Sequence, residues 1–131
     1  MKKLLILSSV FCCTLVYANA APKGVTPEFW QQKQSISAVQ SAAYSKIDAL
    51  NEIRLARTLT DVETANYNKY VCEAVAAETQ FAKLMKSDLA QAKIVLEDAS
   101  VDAAAIQDMM ESSENYEAAQ ELKGTAAECK S

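Results

Sequence analysis

Between Glu28 and Lys123 apolar side chains recur at spacings of three, four and seven, with neither Gly nor Pro to interrupt them. Phe29, Ile36, Val39, Ala43, Ile47, Leu50 and Ile53 fall on one face of a long helix. Thr26-Pro27-Glu28 supplies its start: the hydroxyl caps free N–H groups, Pro suits the first helical position, and the acid complements the dipole. The pattern predicts a short leader at 21–25 and a first helix over 26–58. Thr60-Asp61-Val62-Glu63 has the form of a capping box and opens a second helix over 61–86. Along it Tyr67, Val71, Ala74, Glu78, Phe81 and Met85 share one line, widened by Tyr70, Val75 and Ala82.

Ser87-Asp88 offers a third start, giving a helix over 88–97 or a kinked continuation of the second. Ser100 or Asp102 opens a last helix over 101–123, carrying Ile106, Met109, Met110, Tyr116 and Leu122. A break near Ser112-Ser113 stays open. Gly124 suits the left-handed position that ends the helix, and a polar tail follows at 124–131. The expected fold is all-α: a small antiparallel bundle of three to four helices with one disulfide. An extended two-helix hairpin that dimerises is the alternative.

The first twenty residues read as a cleaved export signal. Lys2 and Lys3 precede an apolar run from Leu4 to Tyr17, and Ala18-Asn19-Ala20 has the small-x-small form that precedes cleavage. The run is too short for a membrane span. Bulky Phe11 before Cys12 and Cys13 argues against lipid attachment, so both cysteines leave with the signal. The remaining single domain, 21–131, keeps Cys72 and Cys129, an even pair suited to a structural disulfide in a periplasmic or secreted protein.

Composition narrows the chemistry. The chain contains no His, which removes the usual neutral-pH base and the commonest metal ligand. No nucleophile elbow, phosphate loop, dinucleotide fingerprint or calcium-loop spacing occurs. The expectation is a protein that is not an enzyme and uses neither cofactor nor metal. Loss of Lys2 and Lys3 takes the net charge from −4 to −6, which is unsuited to nucleic acid.

That charge is uneven. From Glu97 to Glu128 there are nine acids and one base, Lys123. Asp108, Glu111, Glu114, Glu117 and Glu121 recur every three or four residues, an acidic ridge suited to steering a basic partner or to solubility alone. Trp30 diverges from Phe29 by about 100 degrees on the helical wheel, which leaves it at the edge of the core as an end cap or an apolar anchor. In architecture the chain is similar to periplasmic inhibitor or immunity proteins and small periplasmic chaperones. The expected function is an exported module that inhibits, neutralises or escorts another exported, basic protein. The alternatives are a carrier of a small apolar ligand or lipid, in a cavity lined by residues such as Ile47, Phe81 and Met109, and a structural subunit of an envelope assembly.

Overall fold

The computed structural model describes residues 19–130. Apart from Asn19 and Ala20, the expected export signal, including Cys12 and Cys13, lies outside the described residues.

Side-chain caps set the start of every helix among the described residues. α1 (Pro27–Ala56) starts where the Thr26 hydroxyl accepts the Phe29 N–H. α2 (Asp61–Ser87) starts on the complete capping box, with the Thr60 hydroxyl accepting the Glu63 N–H and the Glu63 carboxylate accepting the Thr60 N–H. Arg57 donates to both oxygens of that carboxylate at 2.8 Å, tying the α1–α2 connection to the start of α2.

α3 (Leu89–Val95) is a separate helix rather than a continuation of α2. Asp88 leaves the helical region, at φ −149° and ψ 90°, and its carboxylate caps the Gln91 N–H. The Gln91 side chain in turn accepts the Thr26 N–H at 2.7 Å, fastening α3 to the start of α1. The helix ends with Glu97 in the left-handed region at φ 53°.

The single last helix expected over 101–123 is instead two, α4 (Ala103–Glu111) and α5 (Glu114–Glu121). Asp102 caps the first through the Ala105 N–H, and Ser113, extended at ψ 144°, caps the second through the Tyr116 N–H. Gly124, with φ 74°, follows as expected. The described residues are thus all-helical, with a Cys72–Cys129 disulfide that fixes the tail to the middle of α2.

α2 is the hub. The other four helices all pack on it, and α4 also packs on α5. Two apolar clusters form along its length. One gathers Phe29, Ala82, Met85, Ala92, Val101 and Ile106, and the other gathers Ala43, Ile47, Val71, Ala74 and Ala119. The small side chains of Ala43 and Ala74 let α1 and α2 approach closely, and Met85 is fully enclosed. Truncating Met85 to Ala is expected to cost about 2–5 kcal/mol.

The segment expected as a mere leader belongs to the core: Val25 is buried in the first cluster and Ala21 packs against it. Gly24 allows this approach, since at φ 90° a Cβ there would stand 2.8 Å from the Ile94 side chain.

Candidate functional site

The acidic residues of the expected ridge divide between two short helices. Asp108 and Glu111 belong to α4, and Glu114, Glu117 and Glu121 to α5. The turn at Ser112-Ser113 interrupts the helical spacing, so they form two acidic faces rather than one continuous ridge. All five side chains are exposed. Among the described residues the ion pairs are Arg57–Glu63 and Lys69–Glu73, and neither involves these five acids. Glu111 accepts the Gln107 side-chain amide at 2.6 Å. Glu114 and Glu117 occupy the first turn of α5, where negative charge complements the helix dipole. Met109 stands between Asp108 and Glu111 in sequence and is 54% exposed.

Trp30 is half-buried against the first apolar cluster. Its indole N–H donates to the Asn19 carbonyl at 2.6 Å, and the Lys33 ammonium lies 5.0 Å from the ring centre. Asn19 falls within the expected export signal, so cleavage after Ala20 would free the indole N–H while leaving the ring against the cluster.

The most organised polar group is one that sequence reasoning did not single out as a site. Glu78 stands on the inner line of α2 between Ala74 and Ala82, the point where the two apolar clusters meet, and its side chain is buried. Tyr44 of α1 and Asn115 of α5 donate to its Oε1. Ser113, the cap of α5, donates to its Oε2 at 2.6 Å. Gln40 completes the chain by donating to the Tyr44 oxygen at 2.7 Å. Burial, followed by the hydrogen bond to Glu78, pushes the Tyr44 phenol above its ordinary value of 10.0. The signal was present in the sequence, because a charged residue on an otherwise apolar helical line needs partners if it is buried.

This network borders a cavity of about 110 Å³ lined by Phe81, Leu96, Ile106, Met109 and Met110 as well as by Glu78. Phe81 and Met109, two of the residues expected around an apolar ligand, do meet here. Ile47 does not; it belongs to the second cluster. A broader, open groove runs beside the disulfide, between α2 and the tail, where Ala65, Ala76, Ala126 and Ala127 lie near the Lys69–Glu73 pair. Among the described residues no three Cys, Asp or Glu side chains are grouped to hold a metal ion, and no helix is long and apolar enough to cross a membrane. Comparison with protein-family models, with curated proteins and with solved structures finds no match.

Proposed function

We propose that this chain is an exported binding module that inhibits, neutralises or escorts a basic protein by covering part of its surface. The observation that carries the reading is the set of five exposed carboxylates on α4 and α5 that have no ion-pair partner among the described residues, with half-exposed Met109 between two of them in sequence. Such a surface accelerates encounter with a positive partner and repels acidic competitors, while an apolar side chain among the charges supplies area to bury. Export is supported by the pattern of residues 1–20 and by the Cys72–Cys129 disulfide, which suits an oxidising compartment.

The lipid-carrier alternative is less well supported. The cavity beside Glu78, about 110 Å³, is well below the roughly 300–1,000 Å³ typical of small-molecule sites, and the groove beside the disulfide, about 750 Å³, is open to solvent rather than enclosed.

The test uses the oxidised protein as bait at low and high salt, followed by titration of the retained partner. The expected partner is a basic exported protein released by salt. Neutralising Glu111, Glu114 and Glu117 together to Gln is expected to weaken binding by about tenfold or more at low salt and to flatten its salt dependence. Equal affinity of the neutralised and native proteins would remove the acidic faces from the mechanism.

A further inference from the structure

Glu78 is only 6% exposed, and among the described residues no cationic side chain is paired with it. Its neighbours are oriented as donors. Tyr44 accepts from Gln40, which leaves its own proton for Oε1; Ser113 accepts the Tyr116 N–H, which leaves its hydroxyl proton for Oε2. The Asn115 amide nitrogen can only donate. Three donors, and among the described residues no acceptor, meet the two carboxylate oxygens. A carboxylate has about four acceptor positions. Among the described residues two donors reach Oε1 and one reaches Oε2, so Oε2 has capacity for a further donor. A buried anion without a countercharge is costly, and a bound cation removes that cost.

The cavity beside it has complementary chemistry. Apart from Glu78, Tyr44 and Ser113, its wall is apolar, and Met109 both lines it and reaches solvent. A dry apolar cavity of about 150 Å³ accepts benzene, so one of about 110 Å³ holds roughly four or five non-hydrogen atoms.

We propose that this cavity binds a primary alkylammonium group, with the ammonium donating to Oε2 of Glu78 and a chain of about four carbons lying among Phe81, Leu96, Ile106 and Met109. The cation supplies a countercharge to Glu78, and the chain fills apolar space. This chemistry comes either from a small free amine or from a lysine side chain of a bound protein. The site does not depend on the acidic faces of α4 and α5.

Titration of the oxidised protein with n-butylammonium, followed by amide chemical shifts, is expected to move Ser113, Asn115 and Tyr116 saturably. The uncharged isostere n-butanol is expected to bind about tenfold more weakly or worse, and butyrate not at all. Glu78→Gln is expected to erase the preference for the ammonium. Ala82→Val fills the cavity while keeping the Glu78 charge and is expected to abolish binding, which keeps the test decisive if Glu78→Gln fails to fold. A lysine blocked at both ends separates the sources: affinity matching n-butylammonium assigns the site to a protein lysine, and much weaker affinity assigns it to a free amine. Shifts that never saturate or that sodium chloride reproduces, equal binding of alcohol and ammonium, or an unchanged preference in Glu78→Gln would each overturn the proposal.

Discussion

Ser113 donates its hydroxyl proton to the Glu78 carboxylate, at 2.6 Å, while its oxygen receives the first captured N–H of α5, from Tyr116 at 3.0 Å. One side chain thus sets where α5 begins and holds that beginning to the middle of α2. Ser113→Ala is expected to lower stability by about 1–2 kcal/mol, through loss of the cap and of one donor to a buried anion. Ser113→Asp retains a capping oxygen but sets a second carboxylate against Glu78, and is expected to cost more than Ala. Urea unfolding of the two variants tests the order. An aspartate variant as stable as the wild type would disprove the coupling.

Tyr44 makes the other strong contact with Glu78, and its phenol is raised above 10.0, first by burial and then by that hydrogen bond. A folded-state value above the unfolded one means that the contribution is complete below pH 10 and is lost as pH rises through the folded value. Alkaline unfolding of the wild type is therefore expected to steepen above pH 10, and Tyr44→Phe to lose that part of the slope. At neutral pH the same variant is expected to cost about 1–2 kcal/mol. Denaturation at a series of alkaline pH values measures both effects.

The start of α2 is sensitive at the opposite end of the scale. Hydrogen bonds from Arg57, and then from the Thr60 N–H, hold the Glu63 carboxyl down to about 2 from an ordinary 4.5. A depressed folded-state value stabilises above the unfolded value and is lost as pH falls through the folded one. Stability is expected to decline between pH 4.5 and about 2, with Glu63→Gln flattening that decline. A carboxyl-carbon titration placing Glu63 near 4.5 would refute the arrangement.

Glu97 adopts φ 53° at the end of α3, a region that disfavours side chains. Glu97→Gly is expected to raise stability by about 0.5–1 kcal/mol, because relief of strain exceeds the added freedom of the unfolded chain. A lower melting temperature would contradict this account.

Cys72 and Cys129 are 57 positions apart. Replacing both with Ala is expected to cost about 4 kcal/mol on the chain-entropy view, with amide exchange rising first in the tail and α5. Uniform loss of protection across all five helices would show instead that the bond is integral to the whole bundle.

Local signals were readable where one residue decides a local event. Thr26, the Thr60–Glu63 box, Asp88 and Asp102 each cap a helix beside them in sequence, so those starts follow from short-range rules. The pairing of Cys72 with Cys129 was likewise readable from the leftover cysteines. The division of α4 from α5 was readable only as an open break near Ser112-Ser113, because no Gly or Pro marks it and the carboxylate that Ser113 bonds lies 35 positions away. Glu78 was visible on the apolar line of α2, but its partners come from two distant stretches of chain, Tyr44 on one side and Ser113 and Asn115 on the other. The inclusion of Val25 in the core was hidden for the same reason, since the cluster it joins draws on residues as far along the chain as Val101 and Ile106.

Because the other helices all lean on α2, the freedom to vary sequence is unequally shared. A change on the outer face of α1 disturbs one neighbour, whereas a change at Ala74, Glu78 or Ala82 is transmitted to several at once. The inner line of α2 is thus the part of the chain where random drift is most tightly confined. The surfaces of α1, α4 and α5 are where a new binding specificity can arise without rebuilding the interior.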